Sequence, residues 1–267
     1  MKKALTLSIV IPVYNEQRHL KACLDAIAAQ TVKPDEVIVV DNNSTDKSVE
    51  ITQSYPFVKL LHEKKQGVVF ARDKGFNAAK SDIIGRIDGD TRLPKDWVKR
   101  VIDFYQNPAH SGHALTGGGY FYNVRMPRYN GWVLSQMAFR MNRFLIGHYI
   151  LWGSNMAFTK EMWTKVKNKV CHDNYIHEDL DLAIHLHRIG YQVNYEAYLR
   201  VGVYMKRLWE DKDKQQEHLE RWPKTLHSHN FRLWWMSILG NILIKYIIKP
   251  FAFFTEYFSR AFWGRQK

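Results

Sequence analysis

Two hydrophobic patterns alternate along residues 7–87. Short, mostly apolar runs occur at Leu7-Ser8-Ile9-Val10-Ile11-Pro12-Val13, at Glu36-Val37-Ile38-Val39-Val40, at Val58 to His62 and at Ile83 to Ile87. Short runs of this kind, bounded by polar residues, predict strands buried on both faces. Between the first two runs, Leu20, Cys23, Leu24, Ile27 and Ala28 recur at helical spacing behind Asn15, which the pattern predicts as the helix cap. Val68 to Lys80 predicts a further helix, leading into the strand that ends at Ile87. Strand, helix and strand make a βαβ unit. Right-handed crossovers put the carboxyl ends of such strands on one edge of a sheet, and open α/β sheets bind ligands outside that edge. Tyr14, Asp41, Asp88 and Asp90 follow three of the strand ends and are predicted to converge there.

Asp88-Gly89-Asp90 sets two carboxylates one residue apart directly after an apolar run, with a glycine that lets the chain bend. Oxygen donors of this type suit Mg²⁺ or Mn²⁺, which is held by one or two protein carboxylates and completes its shell with water and substrate phosphates. A diphosphate ligand follows as the natural third party. Asp-Gly is also a common turn dipeptide, so the motif taken alone leaves both readings open.

Context favours the first. The string Ser8-Ile9-Val10-Ile11-Pro12-Val13-Tyr14-Asn15-Glu16, the strand ending in Val39-Val40-Asp41-Asn42-Asn43-Ser44-Thr45-Asp46, the segment Ala71-Arg72-Asp73-Lys74-Gly75 and Asp88-Gly89-Asp90 together resemble the nucleotide-sugar half of family 2 glycosyltransferases with a GT-A fold. The resemblance continues through Gly153-Ser154-Asn155-Met156-Ala157-Phe158 and His177-Glu178-Asp179-Leu180-Asp181-Leu182, roughly the first three quarters of the chain. It implies an α/β fold, a Rossmann-like and mostly parallel sheet flanked by helices. It also implies an inverting transfer of one sugar from a nucleoside-diphosphate sugar to a hydroxyl or lipid-linked acceptor. By the same resemblance Pro12, Tyr14 and Glu16 form the first nucleotide-binding loop, Asp41 hydrogen-bonds the base, and Arg72 lies near the diphosphate. Asp88 and Gly89 lie near the ribose, Asp90 with Asp88 holds Mg²⁺ or Mn²⁺, and Asp179 is the general base. Gly153, Ser154, Asn155 and Glu178 belong to the acceptor side or support it. Plainer readings exist for single residues: Pro12 ending a strand, Asp41 opening an Asx-turn, Arg72 as a solvated helix residue.

The chemistry explains why these residue types are needed. Sugar transfer develops negative charge on the departing diphosphate, which a bridging metal stabilises as a Lewis acid. The acceptor hydroxyl must lose its proton on the opposite face, and one positioned carboxylate suffices. Glu178 and Asp179 open a segment with apolar residues at Leu182, Leu186 and Ile189 in helical spacing and Gly190 suited to end it. Adjacent helical residues point about 100° apart, so one acid can face a cleft while its neighbour is held elsewhere. Acids in a first helical turn also answer the helix dipole without any catalytic role.

Composition fits one catalytic domain with an appendage: 267 residues and 46% hydrophobic content fill one sizeable core. Residues 1–224 are expected to form the GT-A catalytic domain, with the donor half reaching to about 92 and the acceptor half following, and 225–267 an aromatic, basic helical extension. Two cysteines make no disulfide framework, Cys23 falling on an apolar helix face, and a cytoplasmic location follows. Met1-Lys2-Lys3 and the apolar residues behind it meet Pro12, Asn15 and Glu16 too soon for a secretory signal.

Charge adds a partner. Lys and Arg number 39 against 26 Asp and Glu, a net +13 that favours polyanionic surfaces. The stretch from Phe231 is too apolar for a nucleic-acid arm. Its longest uncharged run, Leu233 to Ile244, has 12 residues, short of the ~20 a spanning helix needs. Trp and Tyr flanked by Lys and Arg suit the headgroup level, which predicts peripheral association with the inner face of the cell membrane; a span with snorkelling lysines, an apolar subunit interface and a tail folded onto the core are the other readings. Trp132 to Trp152, between the donor half and the base, reads equally as a second amphipathic candidate and as an ordinary core helix. With both at the membrane, the acceptor would be a glycolipid or polyprenyl phosphate, in cell-envelope polysaccharide or glycolipid synthesis.

Departures from the family pattern mark the rest. Membrane-embedded processive members carry Gln-x-x-Arg-Trp, where this chain reads His218-Leu219-Glu220-Arg221-Trp222. That favours single addition, with Arg221 and Trp222 near the donor diphosphate and acceptor. Asp73 replaces the usual Asn, and the strand expected at Tyr191 to Tyr195 has no clear histidine after it to complete a metal shell. Two other classes stay in view: a nucleotidyltransferase, which would begin with a glycine-rich phosphate loop, and a non-catalytic basic membrane-binding protein, which would not need four acids on one edge.

Overall fold

The computed structural model describes residues 4–123, 136, 139–173, 175–204, 212–243 and 246. Four strands, β1 (Leu7–Val13), β2 (Glu36–Asp41), β3 (Val58–His62) and β4 (Ile83–Arg86), alternate with helices α1 (Leu20–Ala28), α2 (Ser48–Gln53) and α3 (Val68–Ala78). Next come α4 (Trp97–Gln106), β5 (His113–Phe121), helical residues 139–146 (α5), β6 (Met156–Thr159) and α6 (Lys160–Val166). The chain continues through α7 (Glu178–Arg188), β7 (Gln192–Val203), α8 (Lys212–Ser228) and α9 (Met236–Leu243).

The strands form one sheet in the order β3-β2-β1-β4-β6-β5-β7. Pairings among β1 to β4 and between β5 and β7 are parallel, and β6 alone runs against its neighbours. The sheet is therefore mostly parallel and flanked by helices, as the sequence predicts.

Strand β1 explains why its run is mostly apolar. Ile9 and Ile11 face a core shared with Leu20, Leu24 and Ile27 of α1 and Trp97, Val98 and Val101 of α4. Val10 faces the opposite core, with Ile38, Val40, Phe76 of α3, Trp163 of α6 and Leu182 of α7. A strand covered on both faces has no polar side to reveal an alternation. Pro12 is tolerated in this central strand for a local reason. Val10 O accepts Ile87 N (3.2 Å), so Pro12, two residues on, turns its missing N–H to the same side, beyond the last pairing with β4. Close approach fixes a glycine too: a Cβ at Gly75 would lie 2.3 Å from Val10 Cγ1, so α3 could not rest on β1.

A third core joins Phe139, Leu145 and Ile146 of α5, Leu180 and Ile184 of α7 and Leu226 of α8. Helix α8 runs through the expected boundary at 224, with Thr225 and Leu226 fully buried.

Several boundaries differ from expectation. Asn15 is not the cap of α1: the helix begins at Leu20 behind His19, and Asn15 stands at φ 53°, with Oδ1 accepting Thr45 N (2.8 Å). Its short polar side chain tolerates the left-handed conformation and ties two loops instead. The final helix of the donor half stops at Ala78, and Asp41 is the last residue of β2. Strand β7 is far longer than Tyr191 to Tyr195, because β5 pairs along most of its length with a register shift between Gly117 and Gly119. Residues 132–135 and 137–138 of the second amphipathic candidate, and 244–245 and 247–267 of the tail, lie outside the described residues.

Candidate active site

At the carboxyl edge of the sheet the loops after β1 and β2 are tied together. Asn15 N donates to Ser44 Oγ (3.0 Å), Glu16 N to Ser48 Oγ (2.8 Å) and Gln17 N to Asp46 Oδ2 (3.0 Å). Tyr14 is exposed at this rim. Asp41 is buried, with Oδ1 accepting Ser44 N (3.2 Å) and Oδ2 lying 3.3 Å from His62 Nδ1. The bond reaches three residues on, one further than an Asx-turn, and caps the loop after β2.

The loop after β4 meets the first loop from the other side. A Cβ at Gly89 would lie 3.2 Å from Glu16 Cγ, so Gly89 packs directly on Glu16. Thr91 N donates to Asp88 O (3.0 Å), Asp88 N donates to Thr91 Oγ1 (3.2 Å), and Tyr122 OH donates to Asp90 O (3.1 Å), which fixes the bend. Beneath it lies Cys23, whose thiol is pushed up by burial and then by Asp90, Asp88 and Glu16. All three acids thus lie near this thiol. Asp88 and Asp90 offer hard oxygen donors of the kind Mg²⁺ or Mn²⁺ takes, while the described group whose candidate ligand atoms lie within 4.8 Å of one another is found elsewhere. Both oxygens of Asp88 are already engaged, Oδ1 by Arg86 Nη2 (3.1 Å) and Oδ2 by Ser154 Oγ (2.5 Å).

The centre of the site is a residue not among the sequence candidates. Arg86, 2% exposed on β4, donates through Nη1 to Asp179 Oδ1 and through Nη2 to Glu178 Oε1 (3.2 Å) as well as to Asp88. Gly153 N donates to Asp179 Oδ2 (2.7 Å). A Cβ there would lie 2.4 Å from Arg86 Nη1 and 2.6 Å from Asp179 Oδ2, so any other residue would have to displace this pair. One guanidinium therefore gathers Asp88, Glu178 and Asp179 from two well-separated stretches of the chain. The signal was present in the sequence: a charge inside the run Ile83-Ile84-Gly85-Arg86-Ile87 is rarely buried unless paired.

Three carboxyls sharing one cation cannot all be held low. Burial favours a neutral Glu178, but Arg86, His177 and Arg72 outweigh it and keep this acid well below the usual range. Burial also pushes Asp179 up, and Glu178 and Asp88 add to it against the pull of Arg86, so that its pKa stands at about 7. Burial opposes the charge on Arg86, yet Asp179, Asp88 and Glu178 hold it firmly protonated.

Arg72 is wholly buried on α3, not a solvated helix residue. Its Nε donates to Asp73 Oδ1 (2.8 Å), Nη2 lies 2.7 Å from the same oxygen, and Nη1 donates to Glu178 O (2.9 Å). The departure at Asp73 thus supplies a counter-charge that an asparagine would not. Asn155 stands behind the site: Oδ1 accepts Trp97 Nε1 (2.8 Å), and Nδ2 donates to Gly118 O (3.0 Å) and Leu199 O (2.6 Å). Trp222 donates through Nε1 to Asn142 Oδ1 (2.9 Å) and sets its ring 4.6 Å from that of His177, at the start of α7. Arg221 pairs with Glu217 on α8.

A second group of ligand-type side chains lies elsewhere: Cys171, Asp181, His185 and His229, with candidate ligand atoms within 4.8 Å of one another. Asp181 accepts Cys171 N (2.9 Å) and pairs with His229 Nε2 (2.8 Å). His229 Nδ1 faces Arg188 Nη1 (3.0 Å), which only donates, so Nε2 carries the proton and donates to Asp181. His185 Nε2 lies 3.4 Å from Asp181 Oδ1 and is a buried nitrogen with no hydrogen-bond partner. Burial would raise the Asp181 carboxyl, but His185, His229 and Cys171 hold it well below the usual range.

Residues 8–166 match the model of glycosyl transferase family 2, more than half of the chain. The chain belongs to that family. Asp179 lies beyond the matched residues. Glycosyltransferase AglE of Haloferax volcanii is 32% identical over 132 residues, 47% of this glycosyltransferase and 41% of AglE. The cholesterol galactosyltransferase of Borreliella burgdorferi is 25% identical over 193 residues, 65% of this chain and 53% of its own. Among solved structures, the mannosyltransferase PcManGT from Pyrobaculum calidifontis, in complex with GDP-Man and Mn²⁺, has a TM-score of 0.62 at 18% identity, covering 100% of this chain and 77% of that one. The likeness shows a GT-A fold. The matches span less than half the length of the first curated relatives, 29% and 28% for two of them.

Proposed function

We propose that this glycosyltransferase moves one sugar, with inversion, from a nucleoside-diphosphate sugar to a hydroxyl of a sugar or lipid-linked acceptor, with Asp179 as general base. The observation that carries the reading is the Arg86 cluster, which joins the candidate base to the acid of the diphosphate side through one buried guanidinium. In the proposed reaction the acceptor oxygen bonds to the anomeric carbon as the bond from that carbon to the diphosphate oxygen breaks. The acceptor proton passes to a carboxylate oxygen of Asp179. A base with pKa about 7 is matched to neutral pH, whereas Glu178, held low by Arg86, stays ionised and helps to orient the pair. Displacement from the opposite face inverts the centre.

The donor's nucleotide would take the rim formed by Pro12, Tyr14, Glu16 and Asp41, and Asp90 with Asp88 would hold Mg²⁺ or Mn²⁺. A metal held there would supply Lewis-acid stabilisation of the leaving diphosphate. Arg72 acts here through Glu178 rather than by touching phosphate, given its burial and its partners. Gly153 and Ser154 hold Asp179 and Asp88 in place. The relative named for galactosyl transfer to cholesterol supports a lipid acceptor, and the net charge supports work at the inner face of the cell membrane.

The test is a panel of nucleoside diphosphate sugars, read as metal-dependent thermal stabilisation and then as product anomer. Selective binding raises apparent native stability by about 2.7 kcal/mol at a hundredfold excess over Kd. Asp90→Ala should lose the metal-dependent part and all transfer. Full transfer by Asp90→Ala in excess chelator would remove the metal from the account.

A further inference from the structure

We infer that α5 and the α9 segment, some ninety residues apart in sequence, form one basic and apolar surface that docks on an anionic lipid bilayer beside the catalytic base. The two helices touch: a Cβ at Gly240 would lie 3.3 Å from Met141 Sδ and Cε, so glycine lets α9 lie against α5. Asn241 Nδ2 donates to Leu219 O (2.7 Å), and Trp222 Nε1 on the same α8 donates to Asn142, which braces both segments on one helix.

Each helix buries one face and leaves the other apolar face outward. In α5, Phe139, Leu145 and Ile146 enter the core while Phe144 is 69% exposed. In α9 and just before it, Trp235, Leu239 and Ile242 are about half exposed. Arg140, Arg143 and Arg232 stand exposed among them, and neither 139–152 nor 231–246 contains an acid. Large apolar side chains ringed by cations without anions match the headgroup and acyl boundary of an anionic leaflet. A second copy fits less well, because a two-fold contact would set arginine against arginine. No helix among the described residues is long and apolar enough to cross a membrane, so the surface lies on the bilayer. Its buried side packs on Leu180 and Ile184 of α7, whose first turn carries Asp179. An acceptor held at the lipid surface would thus meet the base within one helix packing. That last step rests on the proposed transfer reaction; the docking does not.

The experiment is co-sedimentation of the full chain with vesicles of phosphatidylcholine and phosphatidylglycerol, against phosphatidylcholine alone. Wild type should pellet with the anionic vesicles at 0.1 M salt and partly release at 1 M, as the screening length falls from ~10 to ~3 Å. Phe144→Ser and the pair Leu239→Ser with Ile242→Ser should each weaken partitioning by about tenfold, the scale of one large side chain leaving an apolar phase. Both should keep donor-induced thermal stabilisation. Wild-type binding by Phe144→Ser would overturn the joint surface, since the C-terminal stretch alone would then carry the attachment. A change in sedimentation coefficient without lipid would assign the patch to self-association and overturn it too. Vesicle binding that persists while no nucleotide sugar stabilises the protein would leave this surface standing and sink the transfer reading.

Discussion

Arg86 decides how the site works at the scale of single residues. It is the cation shared by Asp88, Glu178 and Asp179, so its removal leaves two buried carboxyls and the partly exposed Asp88 facing one another. Arg86→Gln should destabilise the fold by about 3–5 kcal/mol, as breaking a buried pair does. It should also push Asp179 above 7, because Arg86 is what pulls that carboxyl down. A base must be unprotonated, so activity in the wild type should rise with pH through about 7. In Arg86→Gln that rise should move to higher pH, whereas Arg86→Lys should keep it nearer the wild-type position. Profiles of kcat/KM against pH for the three proteins check this, and coincident profiles would detach Arg86 from the base. The carboxylates were legible because their motifs are linear. Arg86 was not singled out because its partners lie up to 93 residues away.

At the scale of elements, mostly apolar runs matched the four donor-half strands almost to the residue; β1, β2 and β4 are largely buried, while β3, at the sheet edge, is only partly covered. Strand β5 was not read, because Gly117-Gly118-Gly119 interrupts any apolar pattern in a segment whose close contact with Leu199 demands glycine. The joint between α7 and α8 was equally hidden, for Asp181 reads as one more acid in a first helical turn. It is instead the buried acceptor that ties Cys171 and His229 together. Asp181→Asn should cost about 1–3 kcal/mol at pH 7. The sign follows from its lowered folded pKa: the stability it supplies is full above the unfolded value near 3.9 and is lost as pH falls through the folded one. Urea midpoints of the two proteins should therefore differ at pH 7 and converge in acid. A gap that widened in acid would reverse the assignment.

At the scale of the molecule, one sheet edge gathers residues from the first loop to α7, and a surface beside it collects cations and aromatics. The charge was legible from composition, while the meeting of α5 with α9 depends on a contact at Gly240 that no local pattern encodes. What unites the two regions is the position of Asp179, with the metal-side acids across Arg86 and the third core behind it. The central claim is that this carboxylate takes the acceptor's proton. The most direct test measures turnover and donor affinity side by side for Asp179→Asn, which nearly preserves size and loses basicity. Turnover should fall by roughly 10²–10⁴ with donor affinity close to wild type. An Asp179→Asn enzyme that turned over at the wild-type rate would contradict the account and move the base to another group, Glu178 first.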